Sequence, residues 1–452
     1  MSRRRVRKRA KGLLKSLTGV PAPLILACGY ALFVAFGAVL FRLPFTSHEP
    51  IGWSDAIFTA TSAVTVTGLS VFDVGSVLTF WGELVLVLLI QVGGLGLMVF
   101  AVLVLSLLGL PVGLTSSTYL QEDLGQSSVA RLKHLLATIL KVVLACEVAG
   151  ALFLALTFVP HEGVWAGLWT SVFHSVSAFN NAGFSTYAEG LVPFATDPVI
   201  NIVIPALFIT GGIGYVVLDD LFRRAGWRHY TLHTKIMLLG TAILIPWAML
   251  TFAVLEWNNP ATLGALESTT ARLAVSWFQA VTPRTAGFNT TDIAGMHDST
   301  ALMFISLMLI GGGPTSTAGG IKVTTFVVML LATVAFFRRQ SQLSAFGRSI
   351  GLEQVLKVMA LTAISVILVF VAVFLVVASH DGHFLDIAFE VVSCFATVGL
   401  SRGYTPELTE FGRGVFEVVM FLGRVGPLTL GYFLATRSVP RVRYPEGQIH
   451  LG

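Results

Sequence analysis

Four short strings decide how this chain folds: TVTGLS at 65–70, NNAGFS at 180–185, RTAGFN at 284–289 and ATVGLS at 396–401. They share the form x-x-x-Gly-(Leu/Phe)-(Ser/Asn). Their glycines, Gly68, Gly183, Gly287 and Gly399, recur at intervals of 115, 104 and 112 residues. Self-similarity at a near-constant period governs the reading of a whole chain. Each string follows a short semi-polar run (52–64, 164–179, 268–282 and 384–396) and precedes a long apolar one. Glycines scattered by chance, in a chain with 44 of them, would not all fall in that same context.

Outward from these strings lie eight long apolar runs, near 23–42, 79–109, 134–159, 197–222, 234–256, 299–336, 353–379 and 412–436. The chain has 452 residues, 55% hydrophobic and only 12% charged, whereas a soluble domain carries roughly 25% charge. So few charges cannot cover a soluble surface of this size. A soluble enzyme, a nucleic-acid binder and a disordered chain are excluded, and an all-α polytopic membrane protein is expected. The short runs cannot cross ~30 Å of hydrocarbon as helices, so each reads as a re-entrant half-helix. The expected architecture is four helix, half-helix, helix repeats around one central pore: 23–110, 111–222, 223–337 and 338–437. A basic segment (1–22) precedes them and a tail (438–452) follows.

Of the 29 Lys and Arg, 8 lie between Arg3 and Lys15, so the net charge of +5 is a terminal feature. The first apolar run is too long for a signal peptide and no small-residue cleavage site follows it. Cys28, Cys146 and Cys394 sit in apolar runs without metal or disulfide spacing and read as core residues. Arg223, Arg224, Arg228 and Lys235, then Arg338, Arg339, Arg348 and Lys357, then Arg437, Arg441 and Arg443 fall on one side of the membrane together with the basic N-terminus. The positive-inside rule makes that side cytoplasmic. The opposite loops carry Glu49, Asp73, Glu162, Glu189, Asp292, Asp298 and Asp381, so the half-helices enter from outside.

The glycine strings suit cation selection. A dehydrated monovalent cation needs a ring of oxygens, and backbone carbonyls supply them without full charges that would trap it. Glycine permits the conformations that turn successive carbonyls inward. Irregular backbone at membrane depth is tolerated where it lines a cavity, and each half-helix would aim the negative end of its dipole at the axis. The expected ion-binding residues are Thr65, Val66, Thr67 and Gly68; Asn180, Asn181, Ala182 and Gly183; Arg284, Thr285, Ala286 and Gly287; and Ala396, Thr397, Val398 and Gly399.

The sixth apolar run is broken by Gly311, Gly312, Gly313, Pro314, Thr315, Ser316, Thr317, Ala318, Gly319 and Gly320. Such a stretch will not hold a helix. It reads as a flexible barrier across the pore, anchored by Lys322. Arg424, deep in the last run, is costly at that depth and a functional residue by default. It is expected to bond the loop's carbonyls and to place positive charge in the cation's path. VGGLG (92–96), TGGIG (210–214) and GRVG (423–426), at the same depth, read partly as helix packing, and only 311–320 is long enough and proline-broken enough to be a loop. Arg284 is expected to face away from the ion and pair with Glu390 or Asp292. Asn180, Asn181 and Asn289 would orient strand backbone, and His174 reads as a satisfied buried histidine. GGIGYV (211–216) is not a dinucleotide fingerprint.

On SAFNNAGFS (177–185), VTPRTAGFN (281–289), GGGPTSTAGGIK (311–322) and FATVGLS (395–401), the chain resembles the Trk/Ktr/HKT superfamily of potassium transporters over nearly its whole length. Within it the resemblance is strongest to the KtrB type of membrane subunit, since only some 20 residues precede the first apolar run. The resemblance implies potassium uptake through a cell-membrane pore with no chemical step, both termini cytoplasmic, and potassium favoured by Gly68. It further implies a homodimer, each protomer with its own pore, and a cytosolic KtrA-like nucleotide-binding ring docking on the basic loops. Those loops could equally contact anionic membrane lipid. No organic cofactor and no nucleic acid is expected. The alternatives are a sodium or non-selective transporter of the same fold and, from a different class, an intramembrane enzyme, which would need convergent acid, base or metal groups at depth.

Overall fold

A computed structural model describes residues 22–96, 129–224, 226–340 and 342–426. The basic N-terminal segment, the whole 97–128 stretch and residues 427–452 lie outside the described residues. The chain is an α-helical, multi-pass membrane protein. Helix α1 spans Ala22–Phe41, α2 Trp53–Thr65, α3 Val74–Val77 and α4 Phe80–Leu95. Then come α5 (Val129–Glu162), α6 (Val164–Phe179), α7 (Pro198–Ile213) and α8 (Tyr215–Arg223). They are followed by α9 (Leu232–Glu256), α10 (Thr269–Val281), α11 (Asp298–Leu309) and α12 (Val323–Phe337), and finally α13 (Leu352–Ser379), α14 (Phe384–Ala396) and α15 (Glu410–Val425). A small antiparallel hairpin, β1 (Leu343–Ala345) and β2 (Arg348–Ile350), joins α12 to α13.

Length sorts these helices physically. Among the described residues, Thr138–Glu162, Leu232–Glu256 and Leu352–Ser379 are long and apolar enough to cross a membrane. Their outer faces expose Leu152, Leu156, Leu250, Val254, Phe370 and Phe374, as surfaces toward lipid do. Helices α2, α10 and α14 have 13 residues each, about 20 Å, too short for the hydrocarbon core. Each short helix instead packs inward, with its C-terminal half buried.

Polar caps set where the helices after the glycine strings begin. Thr79, Asp197 and Thr409 accept from the backbone N–H groups of Gly82, of Val199 and Ile200, and of Gly412, satisfying donors that the first turn leaves unpaired. Before α11 the same work falls to Glu256, whose carboxylate accepts from the His297 N–H at 3.0 Å.

Two expectations need correction. The run 197–222 is not one straight span: it breaks at Gly214, and α7 and α8 meet at 94°. Beyond packing, the glycines of VGGLG, TGGIG and GRVG also end helices. Helices α4, α7 and α15 stop at Gly96, Gly214 and Gly426, with φ/ψ of 80/136, 106/136 and 94/140. That conformation is open to glycine and to few other residues. Among the described residues, the helix after the second glycine string is therefore interrupted as well as the one at 311–320. Cys28 is exposed and Cys146 half-buried, so of the three cysteines only Cys394 is a core residue.

Candidate functional site

Each short helix ends the same way. A residue in the left-handed region comes first, then one with ordinary φ, then the glycine, left-handed again. The pairs are Val66 (φ 57) and Gly68 (96), Asn181 (60) and Gly183 (68), Thr285 (71) and Gly287 (78), and Thr397 (49) and Gly399 (90). Val66, Thr285 and Thr397 are β-branched, for which positive φ is a true outlier. Strain of about 1–3 kcal/mol per residue persists where surrounding structure imposes it, and it concentrates at functional sites. Alternating left-handed and ordinary backbone turns successive carbonyls to one side. Among the described residues no hydrogen bond is made to the carbonyls of Val66, Thr67, Asn181, Ala182, Thr285, Ala286, Thr397 or Val398.

The four strands form a closed ring. A methyl group on Gly68 would overlap the Ala182 carbonyl oxygen, and one on Gly287 that of Val398. One on Gly399 would overlap the carbonyl of Thr67, and one on Gly183 would lie 3.0 Å from that of Ala286. Glycine is required at these positions because the neighbouring strand's carbonyl occupies the place of a side chain.

The strands' N–H groups point back into the short helices. Thr67, Ala182, Ala286 and Val398 donate to the carbonyls of Ser62, Ser177, Thr282 and Ser393. The hydroxyls of those same residues make a second tie. Ser62 and Ser393 accept from the N–H of Gly68 and Gly399 at 3.0 and 3.1 Å. Ser177 and Thr282 donate to the carbonyls of Phe184 and Phe288 at 2.8 and 2.5 Å. Sequence reasoning missed these four hydroxyls. A Ser or Thr five or six residues before every repeated glycine was the available signal.

At one end the ring opens into a cavity of about 630 Å³ lined by Gly68, Gly183, Gly287 and Gly399 together with Asp73, Glu189 and Asp292. At the other end lies the 311–320 loop. Thr317 Oγ1 donates to Asn181 Oδ1 at 2.8 Å, and Asn181 Nδ2 donates to Thr285 Oγ1 at 3.3 Å. The loop is pinned to α7 by Gly313 N–H to Gly212 O (2.8 Å) and Thr317 N–H to Gly211 O (3.3 Å). Gly319 packs on Thr397, and Gly320 on Ala396. Gly311 N–H to Ile321 O (2.8 Å) and Val323 N–H to Gly312 O (3.0 Å) close the loop's base. Pro314 lies against Gly214, and Thr315 carries the loop's one positive non-glycine φ, 53. Ser316 Oγ donates to Gly313 O at 2.6 Å and accepts from Ala318 N–H at 3.1 Å. Lys322 Nζ donates to Ala318 O at 2.6 Å and Gly319 O at 3.2 Å. Arg424 donates to the carbonyls of Thr317 and Gly93, and at 3.4 Å to that of Gly94. One guanidinium therefore joins the loop to the end of α4.

Other members of the expected set lie behind the ring. Thr65 Oγ1 is 2.8 Å from Thr67 Oγ1. Asn180 does not orient strand backbone: its Nδ2 donates to Gln91, Glu147 and Val176 O. Asn289 donates to Glu189 O and Thr291 O, tying cavity loops together. Arg284 pairs with no carboxylate among the described residues. Its Nη2 donates to Thr241 Oγ1 at 3.2 Å, and its Nε has no partner. The expected partners are engaged elsewhere: Glu390 by Ser401, Arg402, Tyr404 and Thr405, and Asp292 by the Ala294 N–H. Among the described residues no group of His, Cys, Asp and Glu could hold a metal ion.

A ring of carbonyls without hydrogen bonds thus lies between an acidic cavity and a loop held by Lys322 and Arg424. The family described as TrkH, cation transport protein, matches residues 34–439, and the chain belongs to that family of transporters rather than to any family of enzymes. It is 44% identical over 430 residues to the Ktr system potassium uptake protein B of Bacillus subtilis, covering 95% of this chain and 96% of that protein. It is 40% identical over 417 residues to the protein of the same name from Vibrio alginolyticus, at 92% and 91% coverage. To the potassium/sodium uptake protein NtpJ of Enterococcus hirae it is 36% identical over 460 residues, covering 100% of this chain and 99% of that one. Its fold is similar to the crystal structure of the potassium transporter TrkH from Vibrio parahaemolyticus, with a TM-score of 0.73 at 20% identity, over 91% of this chain and 84% of that one.

Proposed function

We propose that this protein takes potassium up across the cell membrane through the ring of glycine strands, with the 311–320 loop as the gate. The observation that carries the reading is the ring itself. Four strained strands bring hydrogen-bond-free carbonyls together where a dehydrated cation needs them. The four short helices end at this ring, so their negative dipole ends face the ion. The names of the relatives support potassium as the cargo.

The four helix, half-helix, helix units make a pseudo-fourfold, eight-span protein, with the units bounded as the sequence repeats suggest. The acidic cavity is the outer mouth, and both termini are cytoplasmic. Arg424 and Lys322 hold the loop closed, and Arg424 puts a positive charge in the cation's path. The protein works as a homodimer with a cytosolic KtrA-like ring on its basic loops, in contact with membrane lipid; the Ktr system names of the relatives favour such a partner. One relative named for both potassium and sodium supports a second reading, in which sodium is also carried.

Rescue of a bacterial strain lacking its own potassium uptake, grown at limiting potassium, tests the proposal. Wild type is expected to restore growth and Gly287→Ser is expected not to. Equal rescue by both would remove the strands from the pathway.

A further inference from the structure

Behind the ring, each short helix carries one fully buried polar side chain at nearly the same place: Thr59, His174, Gln279 and Glu390. Three of the four reach past their own strand to the hydroxyl that follows its glycine. His174 Nε2 lies 3.1 Å from Ser185 Oγ, Gln279 Nε2 donates to Thr290 Oγ1 at 3.3 Å, and Ser401 Oγ donates to Glu390 Oε1 at 2.5 Å. The tautomer of His174 follows from its other contact. Its Nδ1 is 2.9 Å from the Thr170 carbonyl, which can only accept, so Nε2 accepts from Ser185. The first strand lacks this tie: Thr59 Oγ1 has no partner, and Ser70 turns to the Phe72 carbonyl at 2.6 Å.

Glu390 does most. Besides Ser401, its carboxylate accepts from the N–H of Arg402 at 3.0 Å and of Tyr404 at 3.1 Å, and from Thr405 Oγ1 at 2.6 Å. The whole 401–405 turn is wrapped on one side chain. The strand it holds abuts the first one, which lacks this outer tie, since Gly399 packs on the Thr67 carbonyl.

Resting on the pore reading above, we propose that Glu390 is a selectivity-positioning residue. From behind the fourth strand it fixes the outer end of that strand, and through the Gly399–Thr67 contact it also steadies the first strand, which lacks this outer tie. It touches no ion. It keeps four carbonyl ladders at the spacing that separates potassium from a smaller cation, and the position of its oxygens matters rather than its charge.

The test is the potassium-to-sodium flux ratio of purified protein in liposomes. Glu390→Gln can keep all four contacts, its Oε1 accepting from three donors and its amide donating to Thr405. It is expected to hold the ratio within about twofold. Glu390→Ala keeps none and is expected to lower the ratio about tenfold, and Ser401→Ala by a smaller factor, as loss of hydrogen bonds to a charged group implies. The ratio is the readout because a merely structural role would reduce folded protein and total flux without changing it. If Glu390→Ala does not yield folded protein, Ser401→Ala and Thr405→Val carry the test. Unchanged ratios in the folded variants, or a loss in Glu390→Gln equal to that in Glu390→Ala, would overturn this assignment alone. Absence of cation flux both in wild type and in Arg424→Ala, whose loop is released, would overturn the pore reading and this proposal with it.

Discussion

Replacing Arg424 with alanine removes the link between the loop and the end of α4. Of its bonds, the one to the Thr317 carbonyl lies on the loop, and those to Gly93 and Gly94 anchor the guanidinium. A hydrogen bond from a charged donor contributes about 1.5–3 kcal/mol, so the closed loop should lose that much. The open-to-closed ratio then rises roughly 10- to 150-fold. The gain will sit toward the lower end, because Lys322, Asn181 and the amides of Gly313 and Thr317 still hold the loop. Loss of a positive charge from the path adds in the same direction. Potassium efflux from liposomes holding the chain without any partner should therefore rise about tenfold or more. Arg424→Lys keeps the charge but not the two-pronged geometry, and its flux should fall between the two. If Arg424→Ala conducts at the wild-type rate while both remain selective, Arg424 does not hold a gate.

Thr317→Val removes a neutral bond to Asn181 and should raise flux by about two- to tenfold, measured in the same assay. Gly319→Ala places a methyl group on Thr397 Oγ1, 3.0 Å from the Ala396 carbonyl, so the loop cannot seat, and flux should again rise. Neutralising Glu189 and Asp292 together should raise the half-saturating potassium concentration about threefold at low ionic strength. That difference should vanish as an impermeant salt shortens the Debye length to ~8 Å at 0.15 M. A difference that survives salt would place the two carboxylates in direct ion binding.

The four glycines were legible in the sequence because the constraint on them is local. A carbonyl occupies the place of a Cβ, only glycine fits, and the same need recurs four times. The break at 311–320 was legible for a similar reason, since glycines and a proline in series oppose a helix. The helix ends at Gly96, Gly214 and Gly426 were not, because a single glycine in a small-residue cluster also reads as helix packing. Partners were the least legible. Arg284 was assigned a carboxylate by charge alone, yet it meets Thr241, which lies 43 residues away. Glu390, offered as its partner, instead binds the turn that follows its own strand. The positive φ of Val66, Thr285 and Thr397 opposes the preference of β-branched residues, so local propensity pointed away from the feature that marks the site.

Every prediction above depends on cations passing through the ring of four strands. A side chain at Gly68 would overlap the Ala182 carbonyl, in a backbone conformation of φ 96 that suits glycine. The most direct measurement is therefore potassium and sodium flux through liposomes containing wild type or Gly68→Ser. Potassium-selective flux is expected in wild type, with a marked loss of that selectivity in Gly68→Ser. Equal selectivity in the two would contradict passage through the ring.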